Sequence, residues 1–142
     1  MPHDVALKTM NLAHRLLIKA SLGRFGYDAG NMPVLELTTV GRKSGAARSV
    51  MLTAAGQDGD RLIVVASRGG DPTHPAWFLN LRDNPDVEVK LRDGPRVPMR
   101  ATVLSADERA RVWPELSTRH PMYAAYQKRT DREIPLVWLA PR

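Results

Sequence analysis

The chain predicts a small antiparallel β-barrel decorated by helices, and three features of the sequence lead there. Short apolar, β-branched runs are separated by Gly, Asp and Pro turns. Two neighbouring stretches alternate apolar and polar residues with period two. Helical spacing is confined to the N-terminus, a central segment and two stretches near the C-terminus.

The elements follow in order. Ala6, Met10, Ala13, Leu17 and Ala20 recur at helical spacing, with Lys8, Asn11, Arg15 and Lys19 opposite. They predict an amphipathic helix over 4–22 within an N-terminal segment 1–25, capped by Asp4 and stopped at Gly23. Gly26 to Pro33 is a loop by composition. Val34–Val40 reads as a strand. Ser49–Ala54 and Arg61–Ser67 read as two strands of a hairpin around Gly56-Gln57-Asp58-Gly59-Asp60, the second buried on both faces through Leu62-Ile63-Val64-Val65-Ala66. His74–Leu81 reads as a short helix. Val87, Val89 and Leu91 alternate with Glu88, Lys90 and Arg92; Asp93-Gly94-Pro95 turns the chain, and Val97, Met99, Ala101 and Val103 keep the period. Ser105-Ala106-Asp107-Glu108 is a capping box, opening a helix to about Leu116 that Pro114 kinks or shortens. A helix over Pro121–Lys128 and a strand over Ile134–Leu139 close the chain, which has no visible repeat.

Composition bounds the chemistry. The 142 residues predict one domain over 1–142. No cysteine is present, so disulfides, thiolate metal sites and a cysteine nucleophile are excluded. No apolar run approaches the roughly 20 residues that span a bilayer. The N-terminal pattern is amphipathic and unlike a signal peptide, so a cytoplasmic location is expected. The net charge of +6 asks for an acidic partner: nucleic acid, anionic lipid or a phosphorylated cofactor. The N-terminal helix could rest on anionic lipid at the inner membrane face or pack on the barrel.

The position of the cations narrows this choice. Gly41-Arg42-Lys43-Ser44-Gly45-Ala46-Ala47-Arg48-Ser49 follows a strand and combines glycines, hydroxyls and three cations, which suits an anion. It is not a Walker A loop, since no helix follows. Ala66-Ser67-Arg68-Gly69-Gly70 ends a strand with a second basic, glycine-rich loop and leads into His74-Pro75-Ala76-Trp77-Phe78-Leu79-Asn80-Leu81. Aromatic residues beside a basic loop suit a flat ring carrying a phosphate tail, or else are core anchors. Tyr123 and Tyr126, three apart on one helical face, could cover a substrate and donate a proton or only pack the helix. His3 and His14 read as solvated, His74 as a loop or helix-start residue, and Trp113 and Trp138 as core; His120 lies near a plausible pocket. There is no His-x-x-x-His metal pair, no Gly-x-Ser-x-Gly and no Gly-x-Gly-x-x-Gly, so neither a metal nor direct use of NAD is expected.

Together these segments resemble the deazaflavin (F420)-dependent nitroreductase family, within the split-barrel flavin and deazaflavin oxidoreductases. The resemblance runs from Leu37 to the C-terminus. It rests on Leu37-Thr38-Thr39-Val40 with the turn that follows, Val65 to Gly70, His74 to Leu81 with Asn84-Pro85, the two tyrosines, and Thr130-Asp131-Arg132-Glu133-Ile134-Pro135. It implies a split β-barrel of the FMN-binding type and hydride transfer from reduced F420 to a quinone, an activated enone or a nitro compound. It further implies that Arg42, Lys43 and Ser44 bind phosphate, and that Arg48, Ser49, Val50 and Met51 line the coenzyme. Val65, Ala66, Ser67, Arg68, Gly69 and Gly70 match the loop beside the deazaflavin, with Ser67 at its reactive edge. Pro75, Ala76, Trp77, Phe78 and Asn80 match the segment that closes over it. Tyr123 and Tyr126 match tyrosines of the substrate pocket.

Thr53 and His120 stand where characterised relatives carry pocket tyrosines, which speaks against bulky nitroaromatics and leaves coenzyme binding untouched. A deazaflavin performs hydride chemistry itself and asks the protein for positioning, electrostatics and a proton donor. FMN is the alternative coenzyme. A basic nucleic-acid-binding barrel is a distant rival, because the cations sit in glycine-rich loops and do not interleave with aromatics along a strand face. Relatives include dimers and monomers, so the resemblance leaves the oligomeric state open.

Overall fold

A computed structural model describes residues 32–142. The helix read over 4–22, its lipid contact, the two N-terminal histidines and all but the end of the loop that follows lie outside the described residues. Among the described residues no helix is long and apolar enough to cross a membrane.

Strands β1 (Val34–Val40), β2 (Ala47–Thr53), β3 (Gly56–Asp58), β4 (Arg61–Val65), β5 (Asp86–Leu91), β6 (Arg96–Val103) and β7 (Leu136–Pro141) form one curled antiparallel sheet in the order β2-β1-β5-β6-β7-β4-β3. Helix α1 (Ala76–Asp83) follows β4, and α2 (Ala106–Arg119) and α3 (Pro121–Lys128) lie between β6 and β7. The sheet is a half-barrel with β2 and β3 at its open edges, which agrees with the mainly β, helix-decorated architecture expected.

Two apolar clusters explain which strands are buried on one side and which on both. Leu35, Leu37, Val87, Val89, Leu91, Val97 and Met99 fill the concave face, closed by Trp77, Phe78 and Leu81 of α1. Ile63, Val65, Leu116, Tyr123, Ile134 and Leu136 form a second cluster under α2 and α3. Strands β4 and β7 run between the clusters: Leu62 and Val64 face one while Ile63 and Val65 face the other. That is why β4 reads as a continuous apolar run and β5 as an alternating one. A fully buried Leu or Ile of this kind contributes about 1.5–3 kcal/mol.

Four elements differ from expectation. Strand β2 does not form a hairpin with β4; it pairs with β1, Val40 opposite Ala47, while the partner of β4 is the short β3. After Thr53 the chain crosses between sheet neighbourhoods: the Ala54 amide donates to the Pro33 carbonyl and the Ala55 amide to that of Ile63, each at 2.8 Å. The loop read over Gly56–Asp60 is thus half strand, and the turn is only Gly59-Asp60, with Gly59 at φ 63°. Pro114 does not shorten α2, which continues to Arg119. Both Ala110 and Pro114 are exposed, so water can serve the carbonyl left without an amide donor. Pro75 precedes α1, so the helix begins at Ala76, two residues after the expected His74. The last strand starts at Leu136, because Ile134 and Pro135 are engaged elsewhere: the Ile134 amide donates to Gln127 Oε1 (2.9 Å) and the Pro135 carbonyl accepts from Ala66 (3.0 Å). The Ser105 hydroxyl accepts from the Glu108 amide at 3.2 Å, and α3 spans the residues expected of it.

Candidate functional site

Between the β1–β2 turn, the 66–74 loop and α1 opens a cleft of about 920 Å³. The turn is coded locally. Gly41 N–H donates to the Ala46 carbonyl and Gly45 N–H to the Gly41 carbonyl, both at 2.8 Å, and Ser44 Oγ accepts from the Ala46 amide. A Cβ on Gly41 would stand 2.9 Å from Ser44 Oγ and 3.1 Å from the Ala46 carbonyl, so this tight closure favours glycine. One buried side chain ties the turn to the body: Asn80 Oδ1 accepts from the amide and the guanidinium of Arg42, each at 3.1 Å, and Asn80 Nδ2 donates to Thr39 Oγ1.

Arg42, Lys43, Arg48 and Arg68 surround this cleft, and among the described residues no Asp or Glu lines it. Lys43 and Arg48 have no hydrogen-bond or ion-pair partner among the described residues. Cations without neighbouring carboxylates leave a positive potential for an anion. Opposite them Pro75, Ala76, Trp77 and Leu79 supply an apolar wall.

The 66–74 loop is built differently. Arg68, Gly69 and Gly70 all have positive φ, at 46°, 64° and 85°. Gly70 is required, because a Cβ there would sit 2.6 Å from the Tyr126 carbonyl. The half-buried Arg132 donates to the carbonyls of Ala66 (3.1 Å), Ser67 (2.8 Å) and Asp71 (2.8 Å) and so closes the loop from 60 residues away in sequence. Arg132 is in turn positioned by Gln127, whose Nε2 donates to the Arg132 carbonyl at 2.8 Å.

Ser67, buried to 9% exposure, lines this cleft and also a second cavity of about 370 Å³. Leu52 and Val65 are shared in the same way. The second cavity is walled by Val34, Met51, Thr53, Met122, Tyr123 and Tyr126, and Met51 is 61% exposed at its mouth. The two tyrosine rings meet edge to face with centroids 6.2 Å apart. Tyr123 is buried, with its hydroxyl 3.5 Å from Thr53 Oγ1 and 3.7 Å from Met32 Sδ. Burial raises its pKa above the ordinary phenol value, opposed in part by the Thr53 contact, so the phenol stays protonated. Burial also pushes His120 below the usual histidine range; its ring packs edge-on to Tyr123 and lines neither cavity.

Of the residues singled out from sequence, Arg42, Lys43, Ser44, Arg48, Ser49 and Val50 line the larger cleft from the turn and β2. Val65, Ser67, Arg68, Pro75, Ala76, Trp77 and Asn80 line it from the other side. Met51 and Gly69 belong to the second cavity with the two tyrosines. Ala66 and Phe78 are packed in the core, and Gly70 is pressed against α3; none of these three lines either cavity. Sequence reasoning missed Thr39, Leu52, Thr73 and His74 in the cleft lining, and missed Arg132 behind it. Arg132 lay within a quoted motif, but nothing local shows which carbonyls a guanidinium will reach.

A family model described as F420H(2)-dependent quinone reductase matches residues 13–141. An F420H(2)-dependent quinone reductase of Mycobacterium tuberculosis strain H37Rv is 38% identical over 134 residues, covering 91% of this chain and 88% of the relative. A solved F420-H2 dependent reductase, FDR-A, is 40% identical and covers 75% of this chain and 93% of its own, with a TM-score of 0.64. A protein from Clostridium acetobutylicum related to general stress protein 26, of the pyridoxinephosphate oxidase family, shares the split-barrel fold at 12% identity and a TM-score of 0.61, over 89% of this chain and 84% of that one.

Proposed function

The chain belongs to the F420H(2)-dependent quinone reductase family, as an oxidoreductase with coenzyme F420 for its cofactor, and we propose on that premise that the larger cleft holds the coenzyme and the smaller cavity takes the quinone. The observation that carries this reading is Ser67, which among the described residues borders both spaces with only Leu52 and Val65. A ring in the cleft and an acceptor in the cavity would meet there.

The residues present fit the coenzyme. Its phosphodiester and glutamate tail is polyanionic, and the cleft offers Arg42, Lys43 and Arg48 with no carboxylate paired to them among the described residues, and Arg68, which is shared with Asp71 at 3.9 Å. Pro75, Ala76 and Trp77 give a flat apolar surface for a ring system. Bound F420H2 supplies a hydride. The protein's part is to hold the two partners in line, to exclude water, and to place donors where negative charge develops on the acceptor oxygen. Ser67 Oγ and the Tyr126 hydroxyl are the donors at hand. The second cavity is dominated by Met, Val, Leu and Tyr side chains, which favours a flat, apolar quinone; enones and small nitro compounds are secondary acceptors.

The test is to follow loss of reduced deazaflavin with a panel of quinones, enones and nitroaromatics, after titrating the protein with F420 and with FMN. Quinones are expected to turn over fastest and F420 to bind far more tightly than FMN. Tight FMN binding without F420 binding would overturn the assignment.

A further inference from the structure

His74 is drawn into the cleft lining by the same guanidinium that closes the 66–74 loop. Arg132 Nη1, which donates to the Ala66 carbonyl, also stands 3.2 Å from His74 Nδ1. A guanidinium remains protonated and has no lone pair with which to accept, so Nδ1 must be the accepting nitrogen. The ring proton then lies on Nε2. We infer that Arg132 locks His74 as the neutral Nε2–H tautomer, and that this N–H is a hydrogen-bond donor to an oxygen of the coenzyme in the cleft.

The surroundings hold the ring in that state. Its other side rests on the buried Phe78, with ring centroids 4.8 Å apart, so rotation away from Arg132 is blocked by packing. Nε2 has no partner among the described residues. The charges that act on the ring are those of Arg132, from the segment after α3, and Arg82, from α1; Arg68 and Asp71 of its own loop pair with each other at 3.9 Å. Burial first, and then the charges of Arg132 and Arg82, push His74 below the ordinary histidine range. The Asp71 carboxylate, which accepts from the amide and hydroxyl of Thr73 at 2.9 and 2.7 Å, is not among the charges that shift the ring. A second proton on the ring would sit on Nδ1, break the Arg132 bond and oppose two cations at close range.

A division of labour follows. Exposed cations of the β1–β2 turn meet the anionic tail, while His74 lies beside Ser67, both tied to Arg132. The ligand half of this inference rests on the proposed coenzyme site; the tautomer half does not.

Nitrogen-15 spectra of the imidazoles in the coenzyme-free protein, recorded from about pH 5.5 to 8, read the tautomer directly. The His74 signal, assigned by its loss in His74→Gln, is expected to show an unprotonated Nδ1 and a protonated Nε2 throughout the neutral range. In fluorescence titrations His74→Phe should bind F420 about three- to tenfold more weakly. His74→Gln, which keeps a donor near the Nε2 position, should bind close to the wild type. An Nδ1–H tautomer or an imidazolium as the main species near neutrality overturns the lock. Unchanged F420 affinity in His74→Phe overturns the donor role. Failure of the wild-type protein to bind F420 overturns the proposed function together with the ligand half, and the spectrum still decides the lock.

Discussion

The β1–β2 turn and the 66–74 loop both present cations and glycines to one cleft, yet they are held in opposite ways. The turn closes on its own backbone, is exposed from Arg42 to Ser49, and touches the rest of the protein chiefly through Asn80. The loop has three successive left-handed residues, gives three carbonyls to a distant arginine, and packs glycine against the backbone of α3. An anion can be met by solvated cations on a loosely tethered turn, because charge acts over several ångströms. A hydroxyl such as that of Ser67 has to be aimed, and aiming it requires contacts from distant parts of the chain.

If the loop depends on Arg132 as this contrast implies, Arg132→Met should have the largest effect. It strips a charged donor from three carbonyls, at about 1 kcal/mol each, so a loss of about 3 kcal/mol and a fall in Tm of about 10 °C are expected in thermal denaturation. A Tm within a degree or two of wild type would show the loop to be self-supporting like the turn.

Lys43→Ala should leave Tm unchanged and weaken F420 binding by about ten- to a hundredfold, with the affinity of the wild type falling as salt is raised. Equal affinity for the variant would remove the turn from the coenzyme site. The glycines give a subtler comparison. Gly70→Ala combines a φ of 85° with a Cβ 2.6 Å from the Tyr126 carbonyl and should cost about 2 kcal/mol. Gly45→Ala meets nothing within 4 Å at φ 74° and should cost about 1 kcal/mol from the backbone alone. Equal losses in chemical denaturation would mean that the close approach of the loop to α3 carries no energy.

The same contrast explains how much could be read from sequence. Strand β5 and helix α3 were legible because periodicity and caps are local, and the turn residues Arg42, Lys43 and Ser44 stood out because their chemistry is local too. The hairpin was mispaired because Gly56-Gln57-Asp58-Gly59-Asp60 carries two overlapping turn signals, and only the tertiary bonds of Ala54 and Ala55 choose between them. Phe78 looked like Trp77 in sequence, yet helix α1 turns it into the core at 3% exposure while Trp77 reaches the cleft wall. His74 and Arg132 could not be joined across 58 residues without the fold that brings them within 3.2 Å.

Two tyrosines that the sequence treats alike are separated by an effect similar in size to those of the glycines. Tyr123 is 5% exposed, and its hydroxyl is occupied by Thr53 and Met32, so it is placed as a packing residue with a satisfied polar end. Tyr126 is half-buried beneath the Arg129 guanidinium, 5.5 Å from the ring centroid, and its hydroxyl has no partner among the described residues while its side chain lines the second cavity. A free hydroxyl beside the acceptor can give a proton to the developing oxyanion; an engaged one must first break its own contacts. Tyr126→Phe is therefore expected to lower kcat about tenfold with F420 affinity and Tm near wild type, the pattern of an interaction made only in the transition state. Tyr123→Phe should instead lose about 1 kcal/mol of stability and keep most of its turnover. The reverse pattern would exchange the two roles. Near-normal turnover in both variants would leave Ser67 or water as the donor, and the smaller cavity would then act on the quinone by shape alone.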